Sequence, residues 1–210
     1  MNPINLITMN PAGPPPADAS DVLIIDGNPR AGSFTEAVAD AYARGAASAG
    51  AAVARLAVRE LDFDPALHHG YHARTELEPD LLAATEALRR CRHLVLAFPV
   101  WWGSVPAPLK GFCDRVLLPG FAFTKHERDV WWDPHLAGRS ARVVHTLDQP
   151  GWYYRLRYGA PTVRSVGAMT LRFCGFRPVR HTLIGPLRDS TPAWRERQLQ
   201  RLEHLGRDLR

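Results

Sequence analysis

The chain has 210 residues, 46% hydrophobic and 22% charged, which suits one compact domain with a core of its own. Its formal net charge of +5 rests on arginines scattered along the sequence, so no dense basic stripe marks a nucleic-acid surface, and attraction of small anions is the better use of the charge. Three widely spaced cysteines, Cys91, Cys113 and Cys174, argue against a disulfide framework and for a reducing, cytoplasmic compartment, and no apolar run approaches the ~18 residues that a membrane span needs.

Residues 1–20 carry Pro3, Pro11, Pro14, Pro15 and Pro16 and lack the basic start and apolar centre of a signal peptide. They are expected to form a disordered Pro-rich tail ahead of a single domain, 21–210. Residues 21–26 read as a buried strand, because β-branched and apolar residues run together without alternation. A turn follows, then a helix over 34–49 that Gly50 ends. A weaker strand is expected over 52–57 and an irregular segment over 59–78. Residues 79–90 form a helix with proline in its first turn, and 93–97 a third strand. A helix over 105–118 places Val105, Leu109, Phe112 and Val116 on one face.

Beyond it, 120–138 reads as an aromatic loop, 141–146 as a fourth strand and 148–158 as a second aromatic loop. A helix over 161–173, a strand over 179–184 and a helix over 191–207 complete the chain. Strands alternating with helices imply an α/β fold, a five-stranded parallel sheet with helices on both faces. The handedness of crossovers leaves two usual strand orders, and five strands fit 2-1-3-4-5 best. Its switch point then lies between strands one and three, where ligands bind in such sheets.

The turns after those two strands carry the chemistry. Gly27-Asn28-Pro29-Arg30-Ala31-Gly32-Ser33 leads into a helix N-terminus, where free N–H groups, Ser33 and Thr35 hydroxyls and the Arg30 charge suit a phosphate. Ser33 with Glu36 equally suits a capping box. Neither a Gly-x-Gly-x-x-Gly nor a Gly-Lys-Ser/Thr motif is present. The turn Pro99-Val100-Trp101-Trp102-Gly103-Ser104-Val105-Pro106 offers backbone N–H groups and an aromatic wall to a flat, partly apolar ligand such as an isoalloxazine. Packing of one tryptophan against the core or a partner chain is the alternative.

These two motifs, with Ala107-Pro108-Leu109-Lys110-Gly111 directly after the second and Gly120-Phe121-Ala122-Phe123 beyond it, resemble the NAD(P)H:quinone dehydrogenase family, the DT-diaphorase-like branch of the flavodoxin-like fold. The resemblance implies a homodimer that binds FAD or FMN, with FAD slightly favoured. It also implies hydride transfer from NAD(P)H to flavin N5 and then, ping-pong, to a quinone-like acceptor. Asn28, Arg30, Ser33, Phe34 and Thr35 would hold the flavin's phosphate and ribityl chain. Pro99, Val100, Trp101, Trp102 and Gly103 would lie along the ring, with Thr146 and Asp148 near its O2 edge. Tyr153 and Trp102 are the implied catalytic positions, and Phe121, Phe123, Trp152 and Tyr154 the implied acceptor pocket. No metal and no membrane insertion are implied.

The chain departs from the family pattern after strand four. Thr146-Leu147-Asp148-Gln149 replaces a Thr-Thr-Gly-Gly-like segment, and no histidine stands where the family has one. That keeps two other readings open, a flavin-binding electron carrier and a cofactor-free interaction protein. The cluster His68, His69 and His72 reads as a solvated loop. Cys174 with Arg180 matches Cys-x5-Arg at the wrong sheet edge for a phosphate loop, and reads as a core residue at a helix end. His93 and His145 read as satisfied core histidines.

Overall fold

A computed structural model describes residues 11–15, 21–73 and 75–209. Its strands in chain order are β1 (Val22–Asp26), β2 (Val53–Ala57), β3 (His93–Pro99), β4 (Phe123–Lys125), β5 (Trp132–Pro134), β6 (Ser140–Thr146) and β7 (Val179–Ile184). All but β4 and β5 join one parallel sheet in the order β2-β1-β3-β6-β7. Counted among themselves, the strands of this sheet lie 2-1-3-4-5, as the alternation of elements implies.

Successive residues of β1 serve opposite faces. Val22 and Ile24 pack with α1 (Phe34–Ser48) and with Leu202 of the last helix, α5 (Pro192–Arg207). Leu23 and Ile25 pack in the other layer with α2 (Pro79–Arg90), α3 (Ala107–Val116) and a π-helical segment, Val163–Arg172. Both faces are therefore covered, which is why the central strands read as unbroken apolar runs.

Three expectations change. Residues 148–158 contain a helix, α4 (Gly151–Tyr158), which Pro150 precedes and Gly159 closes in the left-handed conformation at φ 67°. Its aromatic richness hides a helical period that buries Tyr154 alone. The loop 120–138 holds a small antiparallel pair, β4 with β5. Residues 11–15 of the expected free tail lie against the domain: Ala12 is buried and its amide donates to the Phe121 carbonyl, and Arg139 holds the Gly13 carbonyl at 2.7 Å. The rest of the tail lies outside the described residues.

Candidate functional site

β1 and β3 are paired in register, Asp26 opposite Ala97, so the turns that follow them leave the sheet side by side at its carboxyl edge. The Gly27 amide donates to the Ala97 carbonyl at 2.8 Å, and the Val100 amide to the Thr146 carbonyl at 2.9 Å. The hydroxyls of Thr35 and Thr146 meet at 3.0 Å, and the Asn28 side-chain amide donates to Thr35 at 3.3 Å. Asn28 also accepts from the Arg30 amide. Residues 28, 35, 100 and 146 thus converge, but Asn28, Thr35 and Thr146 spend these polar atoms on one another. They tie the ends of β1 and β6 to the start of α1.

Ser33 caps α1, accepting from the Glu36 amide at 3.1 Å, so the capping alternative is realised. Glu36 turns back to accept the Gly32 amide at 2.6 Å. Its other oxygen takes Arg59 at 2.7 Å, and Arg59 also holds the fully buried Asp26 at 2.5 Å. Burial pushes the Asp26 carboxyl up from its ordinary range, against the pull of the Asn28 amide and Arg59. Sequence reading missed Arg59. Its signal is faint: it is the first charged side chain past the end of β2, at the same sheet edge.

Trp101 and Ser104 exchange both backbone hydrogen bonds, at 3.0 and 2.8 Å, around Trp102 and Gly103. The two central residues have φ 51° and 74°, which makes a two-residue turn of type I′. Glycine suits that geometry, but tryptophan is strained there. Neither tryptophan enters the core: Trp101 is 48% exposed and Trp102 fully so. Strain and exposure together mark a residue kept for contact. Trp102→Gly should therefore raise the thermal midpoint through relief of about 1 kcal/mol of backbone strain. Calorimetry checks this, and a lowered midpoint would show that the side chain stabilises the protein.

The model of one protein family, described as the flavodoxin-like fold, matches residues 20–205. The chain belongs to the flavodoxin-like fold family. This flavodoxin-like chain is 29% identical over 128 residues to rat NAD(P)H dehydrogenase [quinone] 1, across 59% of the chain and 46% of that enzyme. It is 32% identical over 105 residues to an uncharacterized NAD(P)H oxidoreductase of Haemophilus influenzae, across 48% of the chain and 52% of the relative. The chain thus matches about half the length of these relatives. Among solved structures, the NAD(P)H:quinone oxidoreductase of Methanothermobacter marburgensis superposes with TM-score 0.76 at 24% identity, covering 91% of this chain and 97% of that one.

Other expected site residues fall in different places. Phe34 is half-buried beneath the Arg195 guanidinium. Asp148 is exposed and, among the described residues, pairs with Arg188 at 3.4 Å. On α4, Trp152 is exposed and Tyr153 half-buried, its ring edge-on to Trp152. Tyr154 faces inward instead of lining a pocket: it is 3% exposed and its hydroxyl meets Thr162 at 2.8 Å. Phe121 is also a correction, since it is fully buried beneath the Arg89 guanidinium and presents no surface.

Phe123 does line a cavity of about 660 Å³. The cavity runs between α3 and the π-helical segment, from Ser104 at the tryptophan turn to Phe123 and Phe173 at the β4 hairpin. Cys113 and Cys174 also border it, and burial pushes both thiols up to about 12. They stay protonated and unreactive beside it. Cys174 is a buried core residue, as its position at a helix end suggests, and no metal-holding group of His, Cys, Asp or Glu occurs among the described residues.

A flavin fits what the residues offer. The α1 N-terminus presents first-turn N–H groups with exposed Arg30 beside them, and the turn that carries exposed Trp102 and half-buried Gly103 adjoins it across the paired strands.

Proposed function

We propose that this chain is a flavin-dependent NAD(P)H:quinone oxidoreductase, acting as a cytoplasmic homodimer. The observation that carries the reading is the convergence of the α1 N-terminus and the strained tryptophan turn at the switch point of the sheet, locked by the Thr35–Thr146 contact. Arg30 and the first-turn amides would hold the phosphate end. Pro99, Val100, Trp101, Trp102 and Gly103 would lie along the rings. The bound flavin supplies two-electron exchange between a nicotinamide and a quinone in turn.

The chain's own residues then orient and shield. Tyr153, on α4 after β6, would donate to the O2 edge, with Trp152 beside it on the acceptor side. The cavity beginning at Ser104, with Phe123 and Phe173, is apolar and of a size that takes a quinone. Phe121 has no part in it. Trp101, Trp102, Trp152 and Leu156 are large exposed apolar side chains, which a second copy would cover. The described residues include no helix long and apolar enough to cross a membrane, and Cys91, Cys113 and Cys174 are all free, in keeping with a reducing compartment.

The test is direct. Purified full chain should be yellow and should oxidise NADPH when a benzoquinone is supplied. FAD is the expected flavin on release by denaturation, identified by chromatography. Flavin-loaded protein without turnover would leave an electron carrier, and protein that binds neither flavin would end the proposal.

A further inference from the structure

His145 and His181 take no part in that reading, yet they anchor a buried chain of polar contacts beneath it. His181 Nδ1 lies 3.0 Å from His145 Nε2, and His145 Nδ1 lies 2.9 Å from the Thr162 hydroxyl. The Thr162 hydroxyl lies 2.8 Å from the Tyr154 hydroxyl, which also accepts the Thr162 amide at 3.1 Å. His145 and Thr162 are fully buried and Tyr154 nearly so.

The proton positions follow from these contacts. The Tyr154 hydroxyl needs an acceptor for its own proton, and Thr162 Oγ1 is the one beside it. Thr162 must then donate to His145 Nδ1. His145 therefore carries its proton on Nε2 and donates to His181 Nδ1, and His181 carries its proton on Nε2. That last edge faces Gly167, where an added Cβ would sit 2.4 Å from His181 Nε2. Only glycine leaves the ring its room. The groups facing the pair favour neutral rings. Burial first, then His181 and Arg155, lower His145 to about 3, and burial, then Arg172, Arg155 and Arg142, lower His181 to about 4.

The chain ends under the tryptophan turn. Thr162 follows Ala160 and Pro161, and Ala160 holds φ 47°, a strained value for a residue with a Cβ. Pro161 is the neighbour of Gly103: a Cβ there would sit 3.4 Å from Pro161 Cγ. Val100 packs on Tyr154, Leu147 and Ala160. Two strained residues, Trp102 and Ala160, thus belong to segments that lean on each other, and such backbone persists only where its surroundings over-determine it.

We propose that His145 is a positioning residue: through Thr162 and Tyr154 it fixes the ledge, residues 160–162, on which the tryptophan turn rests. The link to flavin binding rests on the function proposed above.

Two substitutions separate the halves of the chain. His145→Asn sets an amide oxygen near the place of Nδ1 and keeps the bond to Thr162. His145→Gln reaches toward His181 and gives Thr162 up. Amide hydrogen exchange at Trp101 and Ser104 is measured on the full chain without flavin, together with the thermal midpoint. His145→Gln should exchange about tenfold faster than the unsubstituted protein and His145→Asn within about threefold. Thr162→Val and Thr162→Ser repeat the contrast at one small side chain, and decide it alone if a His145 variant does not fold. Acceleration in both members of a pair, in proportion to lost stability, would reduce the chain to ordinary packing and overturn the proposal, as would no acceleration in either. Flavin affinity should fall in the same order. Exchange that splits as expected in a protein that binds no flavin would uphold the ledge and refute the function.

Discussion

Arg59→Ala should destabilise the protein by about 3–5 kcal/mol at neutral pH, because it strands the Asp26 carboxylate in a buried place. Asp26 has no exposed surface, and the Arg59 side chain is only 10% exposed, so water cannot replace the lost partner. The loss also releases Glu36, which joins Arg59 to the Gly32 amide, so the first turn of the candidate site loosens with the fold. The pH dependence identifies the cause. Without Arg59, Asp26 can escape by taking a proton, and burial already pushes its carboxyl up. The deficit should therefore shrink as pH falls through the raised value and grow above it. Urea unfolding at two pH values measures this, and Arg59→Ala with Asp26→Asn should recover most of the loss. A deficit equal at both pH values, or unrelieved in the double variant, would mean that the ion pair is not its source.

Acidification should weaken the unsubstituted protein steeply. Burial, with Arg142 and Arg180, lowers His93 to about 4, and burial with nearby cations lowers His145 to about 3 and His181 to about 4. In the unfolded chain each titrates near ~6.5. The unfolded state therefore binds more protons below that point, and stability is full above ~6.5 and lost as pH falls toward the folded values. At about 1.4 kcal/mol per unit for each group, discounted for the partial exposure of His181 and its pairing with His145, the loss from about pH 7 to about pH 5 is on the order of 4 kcal/mol. Asp26 acts in the opposite sense but is a single group. His93→Asn should flatten the slope of urea stability against pH by about one proton's worth. An unchanged slope would show that His93 titrates normally in the fold. Its contacts argue otherwise, since Tyr42 and Ser140 hold its two nitrogens at 3.0 and 2.7 Å.

The strands of the sheet were legible because they are covered on both sides: runs such as Leu94-Val95-Leu96-Ala97 have no polar face to disguise them. The turns after β1 and β3 were legible for a related reason. Glycine, proline, hydroxyl and tryptophan residues crowd positions where a strand must become a helix, and simple packing has little use for such a mixture. Helix α4 was not legible. Its one buried face is Tyr154, and Trp152, Tyr153 and Tyr158 around it read as an aromatic loop. Phe121 and Tyr154 were misplaced because an aromatic side chain in a motif looks the same whether it faces a pocket or the core. His93 and His145 do prove to be satisfied core histidines, but only their partners say so.

What lies along the chain was settled by local physics: the hydrophobic period, the prolines at helix starts and the two turns at one sheet edge. Those depend on neighbours within a few residues. Which polar atoms remain for a ligand depended on the tertiary structure alone. Thr35 meets Thr146 across 111 positions, Arg59 meets Asp26 across 33, and His145 meets His181 across 36. Hydrogen bonds are short and directional, so a donor's role is decided by whichever acceptor folding brings within about 3 Å, and sequence distance carries no trace of that.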